Sequence, residues 1–173
     1  MLLVIIGTVP SKKIIKIFSK HNIKIKFLVV FLRSQKKYYE MEETNLIKEA
    51  RRYVANAEEV IQKANYDPEL KIYTDSKYVK MAGNTLWNGC LVALDAVLGI
   101  RKGKARPSIE KYKEAASNRD KKLLASIVAG YDTMHLYMGY DGTKNKKVCD
   151  AGFEKANAII DRCALLYSET KCA

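Results

Sequence analysis

The chain has 173 residues, of which 48% are hydrophobic, and it contains only nine glycines and three prolines. This composition excludes collagen-like, proline-rich and disulfide-dense proteins, and it predicts a soluble domain that is large enough to fold around its own core. The formal net charge is +12, the sign expected of a protein that binds nucleic acid.

The positive charge is unevenly distributed along the chain. Residues 1–40, the leader, contain nine Lys and Arg against one acid, whereas residues 41–173, the body, contain 22 against 18. All 17 alanines lie at or beyond Ala50. The charge of the body is therefore ordinary, and it neither requires nor excludes nucleic acid.

Three interpretations of the leader are open. It lacks the basic start and the small-residue cleavage site of a secretory signal, and neither of its apolar runs is long enough to span a bilayer. Its six lysines from Lys12 to Lys26 fit a basic arm on a membrane or nucleic acid. Alternatively, translation begins at Met41, and the leader, rich in residues with AT-rich codons, is upstream sequence. We favour this third interpretation, with one domain over 41–173 in the cytoplasm.

The first half of the body predicts two helices. Apolar residues recur at i, i+3, i+4 and i+7 from Leu46 to Ala64, and Asp67-Pro68 ends this helix. A second helix, capped by Thr74 or Asp75, runs to about Leu98 and is apolar on nearly every side in its latter half, so it should be the most buried. It contains small residues that permit close approach of a neighbour: Ala82, Gly83, Gly89 and Ala93.

The second half of the body continues the helical pattern. A basic loop, Gly99 to Pro107, precedes a short helix that Ser108 opens, and a longer helix runs from about Asp120 to Met138. The composition of Gly139 to Thr143 predicts a turn. The last helix repeats apolar residues at intervals of four and three from Cys149 to Tyr167. We find no strand-like alternation after residue 41, so the predicted fold is all-α, an antiparallel up-and-down bundle of four long helices and one short helix.

The cysteines predict no metal site. None of the four belongs to a C-x-x-C pair or lies near a histidine, so we expect reduced thiols packed as small apolar residues and no cofactor.

His135 is the one histidine of the body, and it is the first candidate for catalysis. Tyr131 lies one helical turn before it, and Asp132, three residues before, could orient its ring for general acid–base chemistry. Tyr140 adds a phenol at the end of the same helix. The alternative is a structural histidine with satisfied hydrogen bonds.

The basic loop is the candidate phosphate or nucleic-acid site. Arg101, Lys102, Lys104 and Arg106 place four positive charges within six residues. The loop is not a P-loop, because its glycines are too close together and Ala105 stands where Ser or Thr is required. No aromatic residue is interleaved to stack bases, so a solvated basic loop is the alternative.

Four stretches of the body resemble a bacterial family that is classed as a domain of unknown function: Ala50–Ala57, Tyr78–Ala82, Asn88–Ala96 and His135–Gly142. The resemblance covers most of the body and none of the leader. It implies a helical bundle and brings no established activity.

An amphipathic first helix followed by a small-residue-rich central helix is also similar, more distantly, to the HEPN (higher eukaryotes and prokaryotes nucleotide-binding) superfamily. Its ribonucleases carry an Arg four to six residues before a His. Here Arg119 is the nearest Arg before His135 and is too far away, so we do not expect that ribonuclease mechanism. The resemblance implies a homodimer or a protein partner such as a nucleotidyltransferase.

Two functions therefore compete. The first is a non-catalytic HEPN-like module that binds a partner in the cytoplasm. The second is an RNA- or nucleotide-directed enzyme that uses His135, Asp132 and Tyr140 while the basic loop holds phosphate.

Overall fold

The computed structural model describes residues 45–101, 103 and 105–172. They belong to one compact unit, Glu43–Ala173. The leader, Lys102 and Lys104 lie outside the described residues, so what we predict for them stays a prediction.

The described chain is a helical bundle, which confirms the predicted all-α class. None of its helices is long and apolar enough to cross a bilayer. One segment is a π-helix, in which backbone bonds run from residue i to i+5. In chain order the helices are α1 (45–62), α2 (Ser76–Leu98), α3 (Ile109–Arg119), α4 (Lys121–Gly130), the π-helical segment (Tyr131–Asp141) and α5 (Lys146–Cys172).

Helix α2 is central, as its apolar sequence predicts. Asp75 is its N-cap and accepts the backbone N–H of Lys77 at 2.9 Å, while Gly99 ends it in the left-handed region at φ 59°. Eleven of its residues are buried, and the buried set extends over nearly its whole length. The helices around α2 are therefore positioned by contact with it.

Two glycines of α2 allow neighbouring backbones to approach closely. A Cβ at Gly83 would lie 2.5 Å from the Cβ of Met138 and 2.7 Å from the backbone nitrogen of Gly139. A Cβ at Gly89 would lie 2.7 Å from the Cβ of Tyr53 in α1. The predicted role of small residues in α2 is confirmed at these two positions, one facing the π-helical segment and one facing α1.

A short hairpin departs from the prediction of a body without strands. Strand β1 (Tyr66–Asp67) pairs with β2 (Ile72–Tyr73) in antiparallel register. Ile72 also bridges to Asn145, and the N–H of Tyr73 donates to the carbonyl of Lys144 at 2.8 Å. Two-residue strands are too short to show alternation in the sequence, but they fix the backbone just before α5.

The predicted long helix from Asp120 changes geometry partway along. It is α-helical to Gly130, then π-helical to Asp141, and it ends at Gly142, which has φ 69°. The turn predicted at Gly139 therefore begins three residues later. Gly139 is needed inside the helix instead, because a Cβ there would lie 2.7 Å from Oδ1 of Asn84.

Asp120 links the start of α4 to α5. Its carboxylate accepts the N–H of Leu123 at 2.6 Å as an N-cap, and it pairs with the guanidinium of Arg162 at 2.5 Å. Both side chains are mostly covered, at 14% and 26% exposure. The hydrogen bond from Arg162 is the main cause that lowers the pKa of Asp120 to about 2.

We expect Asp120→Asn to lower the stability of the fold at neutral pH, because Asn retains the cap but loses the ion pair. A carboxylate with a lowered folded-state pKa stabilises the fold above its unfolded value of 3.8, and this contribution is lost as the pH falls towards about 2. The variant should therefore lose less stability than the wild type between pH 4 and pH 2. Urea unfolding over this range measures both effects.

The exposed Glu114 of α3 supplies the control, because Glu114→Gln changes the same charge without breaking a described ion pair. Equal acid sensitivity in Asp120→Asn and the wild type would contradict the assignment.

Candidate functional site

The π-helical segment decides which side chains of the candidate region face inward and which face outward. Bonding from i to i+5 makes residues four and five apart neighbours on one face. Met134, Met138 and Gly139 are buried against α2 and α5. The opposite side, which we call the outer face, consists of exposed residues: Asp132, Leu136, Tyr137, Tyr140 and Asp141.

His135 belongs to an aromatic cluster with Trp87 and Tyr131. Its ring centroid lies 5.1 Å from that of Tyr131 and 6.3 Å from that of Trp87, and the Trp87 and Tyr131 rings meet edge to face at 5.5 Å. The ammonium of Lys113 in α3 lies 5.4 Å from the Tyr131 ring centroid, a cation–π distance. The cluster fixes the orientation of the imidazole.

The Nδ1 atom of His135 is buried and has no hydrogen-bond partner among the described residues. An unpaired buried N–H donor is costly, so the favoured neutral tautomer carries its proton on Nε2 and leaves Nδ1 as the unpaired acceptor. In that tautomer the N–H on Nε2 is the hydrogen-bond donor of the ring.

The three residues predicted to act together are not joined in the part of the chain that the structure describes. Asp132 is exposed on the outer face and makes no hydrogen bond to His135 there, so it does not orient the ring. Tyr140 is 76% exposed. Within the described residues these three side chains therefore form no hydrogen-bonded chain from carboxylate to imidazole.

The basic loop is anchored by one acidic residue of α2, Asp95, whose side chain is only 7% exposed. Arg101 donates to its carboxylate at 3.2 Å, and the Nε of Arg106 lies 3.8 Å from the same oxygen. Tyr112 of α3 donates its hydroxyl to the other oxygen. We call these four residues the Asp95 cluster.

The Asp95 cluster ties the two described arginines of the loop, Arg101 and Arg106, to the bundle. Burial, followed by the hydrogen bond to Asp95, raises the pKa of Tyr112, so the phenol remains a hydrogen-bond donor. Arg106 also donates from Nη1 to Oδ1 of Asn88 at 3.0 Å. Because both described arginines of the loop contact this carboxylate, part of their positive charge is balanced within the fold.

Three cysteines of the described helices are packed in the core. Cys90, Cys149 and Cys163 are buried and form no disulfide. Burial raises the pKa of Cys163 to about 12 and that of Cys149 to about 11, so neither thiol is a ready nucleophile. No group of three His, Cys, Asp or Glu residues among the described part is placed to hold a metal ion.

Asp95, Tyr112 and Lys113 are parts of the region that the sequence analysis missed. Asp95 could have been noticed, because it is the one charged residue within the apolar run from Leu86 to Leu98. Tyr112 and Lys113 carry no comparable signal, since their partners lie on other helices.

These features define the class of protein: an all-α bundle whose penultimate long helix turns π-helical where it crosses the central helix. The sequence model described as "Domain of unknown function (DUF5618)" matches residues 45–164, and the chain belongs to this family. This confirms the resemblance to a domain of unknown function.

A solved structure, described as a protein of unknown function from Dyadobacter fermentans, is similar to this chain with 37% sequence identity and a TM-score of 0.62. The match covers 70% of this chain and 94% of that chain. No curated protein matches.

We expect Asp95→Asn to loosen the basic loop. Weakening the ion pairs by about 1 kcal/mol would raise the population of the open loop about fivefold. Trypsin should therefore cut between Gly99 and Ala105 correspondingly faster, which mass spectrometry of the early fragments measures. Asp132→Asn, which removes an exposed carboxylate elsewhere, should leave this rate unchanged, and equal rates for the two variants would contradict the anchoring role.

Proposed function

We propose that this domain is a non-catalytic, HEPN-like protein-interaction module of the cytoplasm that binds its partner through the outer face of the π-helical segment. The observation that carries the proposal is the exposure of large apolar side chains there. Tyr140 is 76% exposed, Tyr137 53% and Leu136 36%, all within five residues. Aromatic side chains grouped in this way are typical of binding surfaces.

The helix geometry supports this assignment. Because neighbours in a π-helix lie four and five residues apart, Asp132, Leu136 and Asp141 share a side with the two tyrosines. On the side opposite the outer face, the segment is fixed by the contact of Gly139 with Asn84 of α2. A rigid element that presents aromatic anchors keeps the conformational cost of binding low.

The state of His135 also supports binding over catalysis. Its buried Nδ1 has no hydrogen-bond partner among the described residues, so no described carboxylate orients the ring in the way that a catalytic imidazole is oriented. The sequence also favours a non-catalytic module, because it lacks the Arg-to-His spacing that HEPN ribonucleases carry.

A second candidate is favoured by the charges near the aromatic cluster. Lys113 lies over Tyr131, and Arg106 contacts Asn88, the residue after Trp87. An RNA or nucleotide could place phosphate on these cations and a base against the half-buried rings of Tyr131 and His135. In that case the domain would be an RNA- or nucleotide-directed enzyme with His135 at its centre.

The interaction module predicts site-specific crosslinking. Benzoylphenylalanine placed at Tyr137 or Tyr140 of the full chain, in living cells of the native source, should give a photo-adduct of discrete mass. The yield should be several times that from the same probe at Lys111, an exposed position of α3. Adding Leu136→Asp should abolish the adduct, because it buries an unpaired charge in the interface. No adduct above the Lys111 level at either tyrosine would overturn the proposal.

The two candidates are separated by His135→Ala. We expect purified wild type and variant to be indistinguishable in turnover of nucleoside triphosphates and of single-stranded RNA. Turnover that the wild type shows and the folded variant loses would favour the enzyme. Circular dichroism shows whether each variant is folded. His135→Asn, which keeps a hydrogen-bond donor, is used if His135→Ala does not fold.

A further inference from the structure

We infer that the outer face binds a basic amphipathic segment of another protein, in which Lys or Arg residues flank a short run of apolar side chains. This inference rests on the proposed function, to which it adds the chemistry of the partner. Three features of the outer face support it: the sign of its charge, the lack of internal ion pairs for that charge, and the order of charged and apolar side chains along the segment.

The outer face is acidic although the chain as a whole is basic. The chain contains 31 Lys and Arg residues, yet none lies between Lys122 and Lys144, and the charged residues of that stretch are Asp132 and Asp141. Both aspartates are exposed on the outer face. Their charge repels a polyanion such as RNA or an anionic lipid surface, and it attracts a cationic partner.

Neither aspartate forms an ion pair with another residue that the structure describes. Lys113, which lies beside the first residue of the segment, is held over the ring of Tyr131 instead. Lys80 lies beside the end of the segment, where the stem of its side chain packs against Gly142. Both carboxylates are therefore available to cations of a partner.

The side chains of the outer face follow a fixed order along the segment. Asp132 comes first, three exposed apolar side chains follow from Leu136 to Tyr140, and Asp141 comes last. At the α-helical rise per residue, the two aspartates would lie about 14 Å apart along the axis, which is about two to three helical turns. An amphipathic helix of that length, with an apolar stripe between two cations, matches the outer face in both charge and extent.

Charge reversal in the crosslinking assay tests the sign of the partner. With benzoylphenylalanine at Tyr140 of the full chain, in cells of the native source, Asp132→Lys and Asp141→Lys should each lower the adduct yield about fivefold, because each places a cation opposite a cation. Asp132→Asn and Asp141→Asn, which only remove the charge, should lower the yield about twofold, and they decide the question if the Lys variants do not fold. Glu114→Lys makes the same reversal at an exposed position of α3 and should leave the yield unchanged.

The sequence of the crosslinked partner peptide is the second measurement. Chymotrypsin spares Lys and Arg, so digestion of the adduct followed by mass spectrometry retains the residues around the crosslink. We expect Lys or Arg on both sides of the crosslinked residue, within about two helical turns of it.

The outcomes separate this inference from the proposed function. An adduct whose yield is unchanged by all four substitutions at Asp132 and Asp141 overturns the basic segment while the interaction module stands. A partner peptide without flanking Lys or Arg, or an adduct of twice the chain mass, has the same meaning. An adduct that nuclease degrades overturns both proposals, as does the absence of any adduct.

Discussion

The fold depends on the close contact between α2 and the π-helical segment at Gly83 and Gly139. Neither glycine has room for a Cβ, because each faces atoms of the opposite helix at less than ordinary contact distance. Dispersion contacts at this crossing are gained only while the two backbones stay this near. The same contact sets the rotation of the segment about its own axis. It therefore places the aromatic cluster on the inner side and Tyr137 and Tyr140 on the outer face.

Two carboxylates, Asp95 and Asp120, connect different elements of the bundle. Asp95 holds the basic loop against α2 and α3, and Asp120 joins the start of α4 to α5. Each is a largely covered carboxylate with arginine partners, and each also binds a further donor, Tyr112 in one case and the N–H of Leu123 in the other. Buried charges persist only when they are paired in this way. Asp120 joins helices whose paired residues are 42 positions apart, whereas Asp95 binds residues that follow it within 17 positions.

Local chemistry predicted the helices well, and tertiary geometry explains the exceptions. The cap at Asp75, the helix that begins near Asp120 and the burial of α2 follow from residue types at fixed spacing, which the sequence displays directly. The π-helix does not follow from the sequence, because the pattern of apolar residues from Leu123 to Met138 also fits an α-helix. Only the crossing at Gly83 distinguishes the two kinds of helix. Likewise, the sequence singled out His135, but its contact with Trp87 depends on how two helices pack, and its separation from Asp132 follows from the π-helical spacing.

A π-helix holds more residues per turn than an α-helix, and this has a consequence for how the segment tolerates changes in length. Deleting one residue between Tyr131 and Asp141 would shorten the chain between two fixed ends, Gly130 against Ile159 and Gly142 against Lys80. The backbone could then revert towards α-geometry with its ends in place. The inward methionines would adjust, whereas the tyrosines would rotate around the axis. Family members of different length in this segment would thus share a core and differ in what they display.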